Sequence, residues 1–230
     1  ILYGSLGSGE VGYASDWDVG FVIADGDDIE ARTAELQQML QRCQQLHEVG
    51  AFARVDTRLR PEGGVGALVR TVSGFADYFA HHAEPWERLA ATRARLANPY
   101  LPFAGAFQEV LETFRYGVPP TPEQSEAMRH LVRRALTERV RPEHAERHLK
   151  LGRGGLAVIE FLAQWGVVHT ATIEDTPLPT STLGMLEWLY RRGWLPRPDY
   201  EALHQAWLFF YQLRNRLSLL FEPAPETLPE

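Results

Sequence analysis

The sequence predicts an α+β protein: a small mixed sheet with helices in residues 1–97, followed by an all-helical part in residues 98–230. The sheet is predicted because residues 16–24 and 51–61 alternate between polar or small and bulky side chains, the period of two of a strand with a buried face. The helical part is predicted because, beyond the proline-containing linker at 98–102, apolar residues recur only at helical spacing. We therefore expect two domains divided at residue 97.

Turn and capping signals outline the first domain. In order, we expect a strand end at residues 1–3, a glycine-rich turn at 4–12, a strand at 16–24, a helix at 27–47, a strand at 51–61 and helices at 73–82 and 84–97. Asp27 is placed to cap the first helix, with Glu30 at its third position, and Gly50 to end it. Ser73 is the expected cap of the next helix.

Helical signals fill the second domain. Thr121 begins a helix with Pro122 at its first position and Gln124 at its third. The expected helices cover residues 103–116, 121–139, 155–169, 181–192 and 199–221. The last helix should bury one stripe of large residues, namely Leu203, Trp207, Phe210, Leu213, Leu217 and Leu220.

The composition excludes several classes of protein. The chain is 45% hydrophobic and 23% charged, which is an ordinary soluble globular balance. Its net charge of −7 argues against a nucleic-acid partner, which requires a basic surface. No apolar run approaches the ~20 residues that span a bilayer, and no signal peptide is visible, so we expect a cytoplasmic protein without a membrane partner. Because Ile1 lies in a predicted strand and is not Met, we expect the N-terminal part to be truncated.

The single cysteine, Cys43, excludes an internal disulfide. It falls on an apolar helical stripe, which consists of Ile29, Leu36, Leu40, Cys43 and Leu46. A buried structural thiol is therefore expected in preference to a nucleophile.

Two aspartates on the strand at 16–24 are the first candidate site. Asp16 and Asp18 point to the same side, about 7 Å apart by strand geometry. Two carboxylates at that distance repel each other unless a proton or a cation lies between them. Hard oxygen ligands favour magnesium. The alternative is the solvated face of an edge strand.

The turn before these aspartates is rich in glycine, with Gly4, Gly7, Gly9 and Gly12. Glycines let backbone N–H groups approach an anion closely, as phosphate-binding loops require. Together with the aspartates, the turn describes a place where triphosphate oxygens and a metal could meet.

A second informative stretch is residues 51–61, where Arg54, Asp56, Arg58 and Arg60 share one strand face. One interpretation is a solvent-facing ladder in which Asp56 is neutralised by its neighbours. The other places this strand beside residues 16–23, so that Asp56 completes a three-carboxylate cluster while Arg58 and Arg60 face phosphates. The bidentate, permanently charged fork of arginine suits that role.

These residues resemble the polymerase-beta-type nucleotidyltransferase superfamily, and within it the glutamine synthetase adenylyltransferases (glutamate–ammonia-ligase adenylyltransferases). The resemblance covers nearly the whole chain. It rests on four segments in order: Gly4-Ser5 with Ser15-Asp16-Trp17-Asp18-Val19; Arg54-Val55-Asp56-Thr57-Arg58-Leu59-Arg60-Pro61; Phe75–Tyr78 continuing through Trp86-Glu87 to Arg93-Ala94-Arg95; and Lys150-Leu151-Gly152-Arg153-Gly154-Gly155-Leu156 with Ile159-Glu160-Phe161 and Gln164.

The resemblance implies a nucleotidyltransferase core followed by a helical domain that closes over the nucleotide. Members of the family transfer the AMP of ATP to a tyrosine hydroxyl of glutamine synthetase, an enzyme of nitrogen metabolism, and a sister domain removes it by phosphorolysis. By resemblance, Asp16, Asp18 and Asp56 are the catalytic residues and the ligands of Mg²⁺, with Asp56 as general base. The implied nucleotide-binding residues are Gly4, Ser5, Ser15, Arg58, Arg60, Lys150, Gly152, Gly154 and Gly155.

The chain departs from the family pattern at two positions. Ser5 stands where members commonly carry lysine, and Val158 stands where they carry an acid. The acceptor is therefore less certain than the reaction class, and two alternatives stay open. The chain could transfer a nucleotide to another protein or to a small hydroxyl compound, or it could be a non-catalytic, nucleotide-binding regulatory module. Lys150, the single lysine, could equally be an exposed cation at a helix end.

Overall fold

A computed structural model describes residues 1–221 and 223–228 of the chain. The chain divides into two compact units. Unit 1 comprises residues 1–11 and 15–118, and unit 2 comprises residues 12–14 and the chain from Pro119 onwards. Over the described ranges, no helix has the length and apolar character needed to cross a membrane.

Unit 1 combines short strands with longer helices. Its elements are α1 (Gly4–Ser8), β1 (Trp17–Asp18), β2 (Phe21–Ile23), α2 (Ile29–Glu48), β3 (Val55–Asp56), a 3₁₀ turn (Gly63–Val65), β4 (Val69–Thr71), α3 (Val72–His81), α4 (Pro85–Ala91) and α5 (Ala104–Tyr116). Helices and strands are thus mixed, and the predicted α+β class is confirmed at this level.

The strands form two small parallel pairs. β1 pairs with β3, with Asp18 opposite Asp56, and β2 pairs with β4. Leu2 adds antiparallel bridges to Val19 and Arg95.

Both long predicted strands are shorter than the sequence indicated. The first is interrupted at Gly20, where an added Cβ would lie 2.9 Å from a Tyr3 ring carbon. The second ends after Asp56, because its Oδ1 accepts a hydrogen bond of 2.8 Å from the main-chain N–H of Arg58. A side chain that bonds the backbone two residues on turns the chain out of the extended conformation. The prediction that residues 51–61 form one continuous strand was therefore wrong.

The core of unit 1 lies where α3 and α5 meet. Phe75 and Phe107 make an edge-to-face contact with ring centroids 5.1 Å apart, and Phe79 stacks on Phe114 at 4.0 Å. The buried members of this cluster are Ile1, Tyr3, Val72, Phe75, Ala91, Ala94, Phe107 and Leu111. Because α5 packs into this core, the compact units divide after Val118, whereas the sequence analysis divides the domains at residue 97. The catalytic core and closing helical domain assigned to 1–97 and 98–230 stay a prediction.

Two expected helix caps of unit 1 lie elsewhere. Asp28, not Asp27, caps α2, because its Oδ1 accepts from the N–H of Ala31 at 3.0 Å. Thr71, not Ser73, caps α3. Ser73 instead donates its N–H and hydroxyl to Asp25, at 2.9 and 2.7 Å.

The prediction that Cys43 is a buried thiol was wrong. No residue of α2 is buried, although the structure describes every one of them. Cys43 is half-buried, and Ile29 and Leu46 on the same stripe are exposed. The stripe therefore lies only partly against the sheet.

Unit 2 is helical in its described part. It contains α6 (Pro122–Thr137), a 3₁₀ turn (Pro142–His144), α7 (Leu156–Thr170), a second 3₁₀ turn (Ile173–Asp175), α8 (Thr182–Arg191) and α9 (Arg197–Leu220). α7 contacts the other three α-helices. The capping box of Thr121 and Gln124, with Pro122 in the first turn, is confirmed, and Ser181 caps α8.

The stripe predicted for the last helix is less buried than expected. Trp207 is 4% exposed, but Leu220 is 73% exposed and the other four members are half-buried. The buried core of unit 2 is instead centred on α7 and α8. Its large residues include Leu156, Ile159, Val167, Met185, Leu186 and Leu189.

Candidate functional site

The parallel pairing of β1 and β3 brings two of the predicted carboxylates side by side. Asp18 and Asp56 occupy directly opposite positions in the register, on strands that lie about 5 Å apart. Asp16 is one residue before β1, and its side chain is 41% exposed, against 10% for Asp56. We call Asp16, Asp18 and Asp56 the acidic cluster.

Gly4 contacts the acidic cluster from the glycine-rich turn. Its φ is +52°, and an added Cβ would lie 2.5 Å from Asp18 Oδ2. Only glycine combines that backbone conformation with such a close approach. The predicted phosphate-binding residues Gly4 and Ser5, both half-buried, therefore begin α1 next to the Asp18 carboxylate. Ser15 directly precedes the cluster in the chain and is also half-buried.

Two arginines, Arg93 and Arg95, bind residues of α1 and the residue that follows Gly9. No role was predicted for them from the sequence. Arg93 donates to Ser8 Oγ and to Glu10, each at 2.8 Å. Arg95 donates from Nε to the carbonyl oxygen of Gly7 at 2.9 Å. These contacts connect the glycine-rich turn to a segment some 85 residues later. The signal that could have found them is the Arg-Ala-Arg segment itself, which was part of the family resemblance.

Arg54 links two members of the acidic cluster. Its Nη2 atom lies 2.5 Å from Asp16 Oδ2 and 4.0 Å from Asp56 Oδ2. One guanidinium nitrogen thus approaches both carboxylates, which places Asp16 and Asp56 on the same side of the sheet. The alternation of residues 51–61 predicted that Arg54 shares a face with Asp56, but it indicated no function for Arg54.

Arg58 binds Asp56 through a bidentate contact. Its Nε lies 3.0 Å from Asp56 Oδ1 and 2.8 Å from Oδ2, and its Nη2 also contacts Oδ2. The Arg58 side chain is nevertheless 70% exposed. The guanidinium therefore lies on the solvent side of a carboxylate that is itself mostly buried.

The electrostatics agree with this arrangement. Hydrogen bonds from the Arg58 side chain are the largest influence on Asp56 and hold the pKa of that carboxyl below its usual range. The pKa of Arg58 is raised, first by its hydrogen bonds to Asp56 and further by the charges of Asp56, Asp16 and Asp18. All three acids thus act on one guanidinium.

Arg60 has a different position from the one predicted. Its guanidinium donates to the carbonyl oxygens of Thr57, Gly64 and Gly66, at 2.8, 2.9 and 3.2 Å. These bonds close the loop at residues 57–66. Because the strand ends at Asp56, Arg60 does not continue the face of Arg54 and Asp56, and its role at a nucleotide stays a prediction.

The other predicted nucleotide-binding residues lie in unit 2. Lys150 is exposed in the turn before α7. His148 Nδ1 accepts from the N–H groups of Lys150 and Leu151, at 3.3 and 3.1 Å, which shapes this turn. Gly152 and Gly154 continue the turn, and Gly155 is the N-cap of α7. Val158, in place of the family's acid, is half-buried in the first turn of that helix.

The acidic cluster does not have the arrangement of a metal centre. Among residues 1–221 and 223–228, no group of three or more His, Cys, Asp or Glu side chains is arranged to hold a metal ion. In the acidic cluster, Arg54 and Arg58 supply the positive charge. The donors nevertheless fit a hard divalent cation in kind, because they are carboxylates on neighbouring strands. The residue types therefore match those that bind magnesium, while Arg54 and Arg58 contact the carboxylates of Asp16 and Asp56.

Comparisons with known proteins agree with the resemblance. Residues 1–109 match the family model described as glutamate-ammonia ligase adenylyltransferase, and residues 124–230 match the model described as GlnD PII-uridylyltransferase. The bifunctional glutamine synthetase adenylyltransferase/adenylyl-removing enzymes of Mycobacterium leprae and Mycobacterium avium are both 35% identical over 240 residues, covering 100% of this chain and 24% of each relative. The protein of that name from Shewanella woodyi is 30% identical over 237 residues, covering 99% of this chain and 25% of the relative. The chain thus spans about a quarter of the length of the relatives it matches.

Proposed function

This chain belongs to the glutamine synthetase adenylyltransferase family, and from that premise we propose that it is a magnesium-dependent nucleotidyltransferase. The reaction is transfer of AMP from ATP to a tyrosine hydroxyl of glutamine synthetase, or its removal by phosphorolysis. The observation that carries the proposal is the acidic cluster, in which Asp18 and Asp56 are register partners and Arg54 joins Asp16 to Asp56.

Asp16, Asp18 and Asp56 would hold the divalent cation. When bound, the cation neutralises charge on the α-phosphate and pyrophosphate and orients them for in-line attack. Asp18 lies against Gly4, so phosphate oxygens held by the N–H groups of Gly4 and Ser5 would be next to the cluster.

Asp56 is the proposed general base for the incoming hydroxyl. It is ionised at neutral pH, and its hydrogen bonds with Arg58 lower its pKa further. A carboxylate with a low pKa is a weak base. We therefore expect Asp56 to act as base only after Arg58 has moved away from its two oxygens.

We propose that Lys150 and the turn at residues 152–155 bind an anionic group of the nucleotide. A cation beside a glycine turn that leads into a helix suits an anion. The turn is shaped by His148, which bonds two of its N–H groups.

The direct test uses α-labelled ATP with purified glutamine synthetase. We expect label on the synthetase, lost roughly 100-fold or more in Asp18→Asn, on the scale of removing one electrostatic contact to a transition state. Asp27→Asn, an exposed aspartate outside the cluster, is the matched control and should retain activity. Equal labelling by wild type and Asp18→Asn would refute the proposed site.

The direction of reaction is tested separately. Adenylylated synthetase is incubated with the protein and inorganic phosphate, without ATP. Phosphorolysis breaks the bond between tyrosine oxygen and phosphorus and joins AMP to phosphate, so ADP should appear together with unmodified tyrosine. Transfer without ADP formation assigns adenylylation to this chain; ADP formation assigns removal.

A different acceptor or nucleotide is the second candidate, favoured by the match of residues 124–230 to a uridylyltransferase model. Labelled UTP in parallel with ATP decides the nucleotide, and a no-acceptor reaction detects a small hydroxyl acceptor. Tight nucleotide binding without any transfer would instead support a non-catalytic regulatory module. The presence of Val158 where the family carries an acid favours that alternative.

A further inference from the structure

Arg58 occupies the carboxylate that the proposed function assigns to a metal. Asp56 Oδ1 accepts from the main-chain N–H of Arg58 at 2.8 Å and from its Nε at 3.0 Å, and Oδ2 accepts from Nε at 2.8 Å and from Nη2. Both oxygens of Asp56 are therefore engaged by a single residue.

A divalent cation and this guanidinium cannot use the same lone pairs. Mg²⁺ requires carboxylate oxygens at 2.0–2.1 Å in near-ideal octahedral geometry. A positive guanidinium within hydrogen-bond distance of those oxygens would also repel the cation. Binding of one group to Asp56 thus excludes the other from its present position.

The exposure of the pair shows which partner can move. Asp56 is on a strand, with its side chain 10% exposed, whereas the Arg58 side chain follows the strand end and is 70% exposed. Arg54 differs, because its Nη2 atom approaches both Asp16 and Asp56, and Arg54 directly precedes β3 in the chain. Arg58 is therefore the group that can leave without disturbing the sheet.

We propose that Arg58 is an internal counter-cation that competes with the divalent metal for Asp56 and is displaced when the metal binds. This inference rests on the proposed function, because it assumes that Asp56 ligates the cation. Released from Asp56, the guanidinium is available for an anionic ligand, and its bidentate fork suits a phosphate. Metal loading and exposure of an arginine would then be coupled in one step.

The first test measures Mn²⁺ binding to the full chain without nucleotide, using the electron paramagnetic resonance signal of free Mn²⁺. Removing the competitor should strengthen binding, so we expect Arg58→Gln to lower the apparent Kd roughly three- to tenfold, in keeping with the modest strength of exposed ion pairs. Arg32→Gln is the matched control. It removes a 48% exposed guanidinium that pairs with the carboxylate of Glu35 in α2, outside the acidic cluster, and it should leave the Kd unchanged.

A third variant separates displacement from a long-range charge effect. Arg58→Lys keeps the charge but loses the planar fork that engages both Asp56 oxygens. Displacement predicts an intermediate Kd, whereas a pure charge effect predicts the wild-type value. Adding Asp18→Asn to Arg58→Gln should abolish the gain if the extra affinity arises at the acidic cluster.

The second test observes Arg58 directly. In ¹⁵N-labelled protein, the side-chain Nε–H resonance that is missing from Arg58→Gln identifies Arg58. We expect it to move towards the position of an unpaired arginine as Mg²⁺ is added, while the resonance missing from Arg32→Gln stays in place.

The outcomes separate the two proposals. Mn²⁺ binding that is no tighter in Arg58→Gln than in Arg32→Gln, or an Arg58 resonance unchanged at Mg²⁺ saturation, overturns the displacement and leaves the proposed function intact. If neither wild type nor Arg58→Gln binds Mn²⁺, the displacement is overturned and the proposed function loses its metal. Tighter binding in Arg58→Gln, an intermediate Kd in Arg58→Lys and a shifted Arg58 resonance together support it.

Discussion

Two arginine pairs in unit 1 have opposite environments. Arg54 and Arg58 are 47% and 70% exposed and bind carboxylates. Arg88 and Arg115 are 9% and 4% exposed and bind carbonyl oxygens: Arg115 Nε donates to Ala91 at 2.6 Å, and Arg88 Nε donates to Arg115 at 2.8 Å.

The buried pair has a structural role that explains its position. Arg115, at the end of α5, donates to carbonyls at and beyond the end of α4, and Arg88, in α4, donates to carbonyls at and beyond the end of α5. Each arginine thus binds carbonyls at the C-terminal end of the other helix, where backbone acceptors lack i+4 donors. The Ala91 carbonyl also accepts from the N–H of Ala94 at 2.9 Å. Burial lowers the pKa of Arg88 to about 10, which still leaves it charged at neutral pH.

The comparison indicates that partner and exposure together decide whether an arginine is fixed or exchangeable. A buried carbonyl that loses its donor is left unsatisfied. A carboxylate whose arginine lies on its solvent side, as Arg58 does at Asp56, can instead bind water or a cation when the arginine leaves. The following predictions test this difference, beginning with the largest effect.

Removing a buried arginine should cost the most stability. Arg115→Met keeps the apolar stem but removes the donor to the carbonyl of Ala94, whereas the carbonyl of Ala91 still accepts from the N–H of Ala94 at 2.9 Å. We expect a loss of about 2 kcal/mol in the free energy of unfolding, from one unsatisfied buried acceptor, measured by urea denaturation of the full chain. A loss below about 1 kcal/mol would show that this carbonyl finds water and that the buried pair is exchangeable too.

A substitution of Gly4 tests the close approach of the backbone to the acidic cluster. Gly4→Ala adds a Cβ that would lie 2.5 Å from Asp18 Oδ2, at a φ of +52°. We expect about 1–3 kcal/mol of destabilisation from backbone strain, together with loss of nucleotide transfer. Gly9→Ala, which also has a positive φ but no atom within 4 Å of the added Cβ, separates strain from the contact, since it should share only the first effect.

The pH dependence of stability tests a buried acid of unit 1, Glu87. Tyr78 donates to both oxygens of Glu87, and burial raises the pKa of Glu87 above 4.5. A raised folded-state pKa means that the folded protein binds this proton more tightly than the unfolded chain. The contribution to stability is therefore full below about pH 4.5 and is lost as the pH rises through the folded-state pKa.

Glu87→Gln should remove this pH dependence while keeping an acceptor for the Tyr78 hydroxyl. The measurement is the urea midpoint of both proteins between pH 4 and 8. Their difference should shift in favour of the variant as the pH rises through the folded-state pKa. Parallel curves would mean that Glu87 titrates normally in the folded protein.

Removing the exposed arginine should have the smallest effect on stability. Arg58→Gln breaks its contact with Asp56, but the side chain is mostly solvated, and exposed ion pairs contribute little. We expect a urea midpoint that cannot be distinguished from wild type, alongside the tighter Mn²⁺ binding proposed above. A clear loss of stability would place Arg58 with the buried pair, as a structural residue.

Local signals were the most predictable part of this molecule. The Thr121 capping box and most helices follow from spacing along a few residues, which is also where their hydrogen bonds form. Longer inferences failed where a distant contact decided the outcome. The strand at 16–24 is interrupted at Gly20, which lies against Tyr3, and α5 packs into unit 1 through Phe107.

The candidate site shows the same division. Spacing placed Asp16 and Asp18 on one side of a strand. One of two interpretations of residues 51–61, adopted with the family resemblance, made Asp56 their partner, and the register of β1 and β3 is consistent with it. The other interpretation had Asp56 neutralised by its neighbours, as Arg58 does. The sequence treated Arg58 and Arg60 alike, although one binds Asp56 and the other closes a loop.

The sequence by itself determined the α+β class, the Thr121 capping box and the residue types of the acidic cluster, because each depends on neighbours within a few positions or on composition. Tertiary structure alone decided the ion pair of Arg54 with Asp16. Arg54 and Asp16 are 38 positions apart in the chain and meet only because β1 and β3 pair in one register. Coulomb and hydrogen-bond energies depend on distance in space, which separation along the chain does not specify.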